Sequence, residues 1–373
     1  MNKKSAVVVG GGFAGITMSY FLKQKGFDVT ILEASKEIGG GCRTYFYHNH
    51  PYTFGPHHLL VKVNEMFVLE FYEKFLEMKQ LDHRLLTFVE QDSSFYGYPI
   101  HEDDISKMPD SDKIYAEIEA CDEEKAKNAT NFEEFWINSI GPTLYEKYIH
   151  RYSEKMWQIY NNQELDIFSY SPKGAAIKKG SRTCFEGVVN IYYPTDINGY
   201  NNMFDALVED CEVKYETPVT KFDLNNKRVF ANGTWYEGDV IINTASLDFV
   251  FNYCYGELRY IGREFTKIIL PVKYAFGEKP HFLHYAGSEE YTRIVEYKKM
   301  TGYESDDTLI IIEKPSFKNK LYPYVTKADI QKAEKYKALI PEGCYSIGRM
   351  GKYHYDNMDQ IVKDCMELIK EID

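Results

Sequence analysis

Ser5-Ala6-Val7-Val8-Val9-Gly10-Gly11-Gly12-Phe13-Ala14-Gly15 is the stretch on which the fold turns. An apolar, β-branched run of strand length enters a turn made of glycines. Residues 16–23 then continue with apolar positions at helical spacing, and a second apolar run follows at 28–33. Strand, turn, helix and strand in that order make a βαβ unit. Gly10, Gly12 and Gly15 satisfy the spacing GxGxxG. Glycines at these places allow the tight turn, let backbone N–H groups approach a pyrophosphate and let the helix pack closely on the strand, while the helix N-terminus adds partial positive charge. Glu33 follows Gly10 by 23 positions, where a carboxylate can accept both hydroxyls of an adenosine ribose. The segment therefore predicts a dinucleotide-binding cradle.

Working outward, the 373 residues combine 44% hydrophobic with 27% charged positions, an ordinary globular mixture long enough for more than one domain. A formal net charge of -12 opposes unspecific attraction to nucleic acid or anionic lipid, so an anionic ligand needs locally placed basic groups. The longest apolar runs, 6–9 and 309–312, fit core strands and are far shorter than the ~20 residues of a membrane span, so no membrane insertion is expected. Met1-Asn2-Lys3-Lys4 leads straight into the first strand without the apolar segment of a secretory signal. Seven cysteines, an odd number without CxxC spacing, speak for reduced thiols in the cytoplasm and against a disulfide framework or zinc site. The 32 tyrosines would suit a cleft for sugars and stacked bases if clustered there.

Along the chain, helical spacing marks 64–78, then 111–126 and 132–160, an inserted helical block rich in Glu and Lys. Beyond about residue 166, alternation takes over, predicting strands at 213–215, 234–236, 267–274, 291–297 and 308–313. Residues 202–208 read as a helix, 239–244 as a buried strand returning to the first sheet, and 360–372 as a closing helix.

A second glycine cluster, Gly39-Gly40-Gly41-Cys42-Arg43-Thr44, stands just after Glu33 and resembles the GG motif of the glutathione-reductase-like FAD families. FAD is accordingly the expected dinucleotide. Further segments, in order, resemble the prokaryotic UDP-galactopyranose mutase family from about residue 5 to 372. Tyr52-Thr53-Phe54-Gly55-Pro56-His57-His58 is similar to its YGAHIFH loop beneath the isoalloxazine. Tyr152-Ser153-Glu154-Lys155-Met156-Trp157 is similar to YTEKQW, whose aromatics border uridine and sugar. Tyr291-Thr292-Arg293-Ile294-Val295-Glu296 resembles the YTRIIE strand with its diphosphate-binding arginine. Leu321-Tyr322-Pro323 resembles YYP, with a phosphate-binding tyrosine, and Gly348-Arg349-Met350-Gly351-Lys352-Tyr353-His354-Tyr355 resembles GRLAEYKYY at the head of the last helix.

The resemblance implies an α/β protein with a Rossmann-like, glutathione-reductase-like FAD-binding domain, an inserted helical domain and a mainly antiparallel β-sheet domain. The expected boundaries are 1–65, 201–245 and 335–373 for the first, 66–84 and 102–165 for the second, and 85–101, 166–200 and 246–334 for the third. Expected FAD contacts are Gly10, Gly12, Phe13, Ala14, Gly15, Glu33, Ala34, Gly40, Gly41, Cys42, Arg43, Thr44, Gly55, Pro56, His57, His58, Val219, Arg349, Asn357 and Met358. A nucleotide-diphosphate sugar is expected at Tyr152, Trp157, Tyr192, Asn198, Arg293, Tyr322 and Tyr355. Arg293 with the two phenols would supply charge-assisted and hydroxyl donors to the diphosphate.

The family reaction is a ring contraction without net redox change. Reduced FAD attacks the anomeric carbon through N5, displaces the nucleoside diphosphate and forms an iminium with the opened sugar, which recloses through a different hydroxyl and takes back the diphosphate as a furanose donor for surface polysaccharide synthesis. Arg293, His57, Tyr355, Tyr322 and Lys173 are the expected reaction-site groups, His57 supplying loop geometry or proton transfer. Relatives are commonly homodimers.

Four departures bear on the substrate. The second loop histidine falls at Leu60. The mobile-loop arginine falls at Pro172, leaving Lys173, Lys178, Lys179 or Arg182 to reach the phosphates. An aspartate of the last motif falls at Asn357, and PVGGY becomes Pro194-Thr195-Asp196-Ile197-Asn198-Gly199-Tyr200. UDP-galactose, UDP-N-acetylgalactosamine, UDP-arabinose and dTDP-fucose all remain open. An amine oxidase or desaturase on the same FAD fold satisfies the glycine motifs equally but makes no demand for YSEKMW or YTRIVE, and a flavin or nucleotide-sugar sensor is a third reading.

Overall fold

The computed structural model describes residues 3–166, 177–184 and 187–373. The chain forms two compact units, one of Met1–Lys79, Tyr192–Arg259 and Asp329–Asp373, the other of Gln80–Ile191 and Tyr260–Ala328.

The first unit is built on a parallel sheet ordered Glu212–Lys214, Asp28–Leu32, Ser5–Val9, Val240–Asn243 and Cys344–Ser346. Ser5–Val9 lies at its centre and buries Ala6 through Val9, as an unbroken apolar run does in a sheet covered on both faces. Helix Phe13–Gln24 starts earlier than the apolar spacing indicated, because Gly12 already serves as its N-cap. The second strand stops at Leu32, which leaves Glu33 just past its carboxyl end, the side on which open α/β sheets bind ligands. The returning strand and the closing helix, observed as Val240–Asn243 and Met358–Glu371, match their expected places. The edge strand Cys344–Ser346 gave no periodic signal, being only three residues long. Strands Val219–Asp223, Arg228–Ala231 and Thr234–Glu237 form an antiparallel meander whose Val229 and Ala231 share a core with Val9, Leu32 and Ile241.

The second unit carries a seven-stranded sheet ordered Tyr322–Pro323, Tyr260–Leu270, Thr308–Ser316, Arg293–Glu296, Phe282–Tyr285, Leu85–Val89 and Ser94–Tyr98. All its pairs are antiparallel except Phe282–Tyr285 with Leu85–Val89. The strand expected at 267–274 is longer and earlier, Tyr260–Leu270, and it stops before Pro271, which has no N–H for the ladder. Thr87, His284, Arg293, Glu313 and Phe265 stand opposite one another in successive registers, so their side chains share one face of the sheet.

Helix Met66–Glu73 belongs to the first unit, and the helices between Glu102 and Trp157 share the second with this sheet. The long helices expected at 111–126 and 132–160 are divided. Asp122 caps Glu123–Lys127 by accepting the Glu124 and Lys125 N–H groups at 3.0 and 3.1 Å, and Asn131 caps Phe132–Ile140. Gly141, at φ +85°, and Pro142 then interrupt the chain before a π-helical turn, Glu146–His150, leads into Arg151–Trp157. Apolar spacing carries through such breaks, whereas the caps that make them are local polar events.

Among the basic residues of this block, Lys147 is not solvated. Its ammonium is 2% exposed, pairs with the 4% exposed Asp92 and lies 3.0 Å from Asp110. Removing one partner of a buried pair leaves the other charge uncompensated. Lys147→Met is expected to lower stability by roughly 3–5 kcal/mol in urea denaturation, whereas Lys127→Met, at an exposed position, stays within about 0.5 kcal/mol.

Candidate functional site

Close backbone approach builds the first part of the site. Gly10 has φ +97°, and a Cβ there would lie 2.2 Å from Thr244 Oγ1; at Gly15 it would lie 2.0 Å from the Gly10 carbonyl oxygen. Gly12 opens onto space, with nothing within 4 Å of such an atom. No side chain caps helix Phe13–Gln24 and its first turn holds no acid, so the first-turn N–H groups and the positive end of the dipole remain available to an anion. Phe13 and Ala14 are buried in that turn. The Glu33 carboxylate accepts the Gly11 and Ser35 N–H groups, both at 2.7 Å, which fixes it at the strand end; Ala34 beside it is exposed.

The second glycine cluster lies directly against the first. The Gly39 N–H donates to the Gly11 carbonyl at 2.7 Å, and a Cβ on Gly40 would sit 3.4 Å from Gly12 Cα. His57 joins this loop: its Nδ1 is 3.7 Å from Cys42 Sγ, and its Nε2 would be 3.8 Å from a Cβ on Gly41. Burial pushes the Cys42 thiol up to about 11, against the pull of Arg349. Gly55, at φ +93°, turns the chain into Pro56, His57 and His58, all half-buried. Arg43 is spoken for, since its Nε lies 3.2 Å from Glu37 Oε2 and its Nη1 donates to the Ile38 carbonyl at 3.3 Å.

The C-terminal motif reaches the same turn. Gly348 is at φ +73°, and a Cβ on it would be 2.8 Å from that of Ala14. Arg349 donates through Nε to the Asp356 carbonyl at 2.7 Å and lies 4.7 Å from the centre of the half-buried Tyr355 ring. Asn357 begins helix Met358–Glu371 without a side-chain cap bond, and Met358 is buried. Val219 packs against the sheet core, while Tyr192 and Asn198 are half-buried in the same unit. A cradle open at Gly12, an uncapped helix start and a fixed acid at the ribose position fit FAD.

Tyr152, Trp157, Arg293 and Tyr322 belong to the second unit. Arg293 donates through Nε to Glu313 Oε2 at 2.7 Å, and the Glu313 side chain is fully buried. Among the described residues this is the only hydrogen bond of the Arg293 side chain, and it engages Nε alone. Burial works against the Arg293 charge, yet Glu313, with lesser contributions from Tyr322 and Tyr152, holds its pKa above the ordinary value. The Tyr152 phenol is raised by burial and drawn the other way by both Arg293 and Arg263. Trp157 is buried against Tyr324, 6.1 Å between ring centres.

Arg263 was not singled out from the sequence. It is 2% exposed, its guanidinium stands 5.0 Å from the centre of the Tyr322 ring, and its Nη2 donates to Met156 Sδ at 2.7 Å. A lone arginine in an alternating strand carries no signal unless its face is known to be inward. The expected substitutes for the absent loop arginine are committed elsewhere: Lys178 donates to the Thr183 carbonyl, Lys179 pairs with Glu102 at 3.3 Å, and Arg182 forks onto Asp104. Lys173 lies outside the described residues.

The family model for UDP-galactopyranose mutase matches residues 147–355, more than half of the chain. The chain belongs to the UDP-galactopyranose mutase family. Residues 8–75 match the model for a NAD(P)-binding Rossmann-like domain. The whole chain is 23% identical to a probable UDP-galactopyranose mutase of Klebsiella pneumoniae, spanning 95% of that protein. It is 22% identical to dTDP-fucopyranose mutase of Escherichia coli, over 98% of this chain and 97% of the other. A crystal structure of reduced UDP-galactopyranose mutase matches with a TM-score of 0.81 at 14% identity, covering 100% of this chain and 94% of that one, a likeness of fold. The UDP-galactopyranose mutase match takes in Tyr152, Arg293, Tyr322, Arg349 and Tyr355, and the Rossmann match takes in both glycine clusters.

Gly10→Ala tests the cradle. A side chain at φ +97° and 2.2 Å from Thr244 Oγ1 must displace the turn. The expected outcome is at least roughly tenfold weaker FAD binding with unchanged far-ultraviolet circular dichroism, read from flavin absorbance per chain after gel filtration.

Proposed function

We propose that this chain is a reduced-FAD-dependent mutase that interconverts the pyranose and furanose forms of a nucleotide-diphosphate sugar, UDP-galactopyranose or a related UDP- or dTDP-sugar. The observation that carries the reading is the half-buried Arg293 fork, anchored by Nε to Glu313 with a second, buried guanidinium, Arg263, beside Tyr322. In a chain of net charge -12, a buried and a half-buried guanidinium with one buried carboxylate make a local positive site suited to a diphosphate. Bound and reduced, FAD supplies a nucleophilic N5 for the anomeric carbon. The protein's part is to hold the departing nucleoside diphosphate for recapture, a positioning task for Arg293 with Tyr322 as hydroxyl donor. Tyr152 offers an aromatic face to base or sugar. No helix among the described residues is long and apolar enough to cross a membrane. The same reading places the enzyme in the cytoplasm as a homodimer, supplying a furanose donor for surface polysaccharide.

Photoreduced protein incubated with a panel of UDP- and dTDP-sugars, followed by chromatography, tests the reading. Isomer interconversion without oxygen consumption is expected. Oxygen consumption with hydrogen peroxide formed in step with an oxidised product would establish an oxidase instead. Arg293→Ala should lower turnover by at least about 10³-fold, roughly 4 kcal/mol of barrier, with flavin content unchanged; near-normal turnover would remove Arg293 from the clamp.

A further inference from the structure

We infer that Asn201 is a positioning residue for the flavin cofactor, its carboxamide holding the 39–44 backbone in the shape that receives the flavin half of the cofactor, beyond the part that ADP shares with it. The inference rests on the FAD reading above. The Thr44 N–H donates to Asn201 Oδ1 at 2.9 Å, and Asn201 Nδ2 donates to the Thr44 carbonyl at 2.9 Å. One planar amide thus meets both main-chain groups of one residue, as a facing residue does in an antiparallel ladder. Thr44 is 3% exposed, so water is poorly placed to replace either bond.

The segment carrying Asn201 is shaped for this contact. Asp196 accepts the Asn198 N–H at 2.7 Å and Asn202 Nδ2 at 2.8 Å, winding the chain into Gly199 at φ +57°. A Cβ on Gly199 would lie 2.3 Å from Thr44 Oγ1, so only glycine lets the turn come this near. Three residues after Asn201, on the same face of helix Asn201–Leu207, Phe204 backs the other end of the loop, where a Cβ on Gly39 would be 2.6 Å from its ring. One short helix therefore fixes both ends of the 39–44 segment, and the Gly39 N–H bond to the Gly11 carbonyl sets that segment against the glycine turn. This gives a role to the place where the chain departs from PVGGY.

The prediction separates the two halves of the cofactor. The 10–15 turn and Glu33, which would take the adenosine half, make none of the Asn201 bonds. Deflavinated wild type, Asn201→Ala and the near-isosteric Asn201→Asp are titrated with FAD, by flavin fluorescence, and with ADP, by calorimetry. Both variants should weaken FAD about tenfold, ~1.4 kcal/mol, with ADP affinity within about twofold of wild type. Unchanged FAD affinity in both variants would overturn the inference. Equal loss for FAD and ADP would overturn it too, because a general loosening of the unit weakens both. Wild type that binds ADP and not FAD would reject the FAD reading itself.

Discussion

Main chain comes close to main chain around the first glycine turn, where glycines leave out the side chains that would hold it apart. Gly15 backs onto the Gly10 carbonyl, Gly39 bonds to Gly11, and Gly348 closes on Ala14. These contacts tie residues near the start of the chain to one more than three hundred positions away, and the missing Cβ atoms of Gly15 and Gly348 permit two of them. Glycine loses the most conformational entropy on folding, so such an arrangement weakens the fold unless something else is gained. What is gained is bare backbone N–H at the head of a helix, in a sheet whose central strand is buried along Ala6–Val9.

The second unit meets a different difficulty, the burial of charge. Arg293 and Arg263 are guanidiniums in an apolar sheet unit of an acidic chain, and Glu313 answers only one of them. Such groups are rarely favourable against well-packed hydrophobic residues. Lys147 shows how the same unit treats a cation that serves structure, enclosing it between Asp92 and Asp110. The incomplete compensation at Arg293 and Arg263 is therefore the feature on which the proposed diphosphate site rests.

Much of this was legible along the chain. Glycine spacing, the acid 23 positions on and the apolar period of the last helix are short-range patterns, and they located the cradle, Glu33 and helix Met358–Glu371. What escaped depends on partners distant in sequence: Asn201 and Thr44 are 157 positions apart, and Arg263 gains its meaning from Tyr322 and Met156. The helix breaks at Asp122, Asn131 and Gly141 escaped for the opposite reason, because a cap acts over two or three residues while periodicity averages over many. Of the basic residues near 178–182, Lys178 and Arg182 are engaged by near neighbours, whereas Lys179 makes only an exposed surface pair.

Helix ends sharpen the distinction between structural and ligand-directed polarity. The second unit closes Glu123–Lys127 with Asp122 and Phe132–Ile140 with Asn131, side chains that satisfy first-turn N–H groups at about 1 kcal/mol apiece. In the first unit, helix Phe13–Gln24 begins at a glycine, and Met358–Glu371 begins at an asparagine whose side chain makes no cap bond. Asparagine is among the best capping residues, so its idle side chain at this end is a matter of placement and not of chemistry. Both uncapped starts belong to motifs that resemblance assigns to the flavin, and the two helices touch, with Cys365 of the second reaching the Ala14 carbonyl of the first at 3.9 Å. A unit that starts the helix beside its glycine turn without a side-chain cap has given up cap stability at a position where a dinucleotide phosphate, on the proposed reading, would supply the missing acceptor.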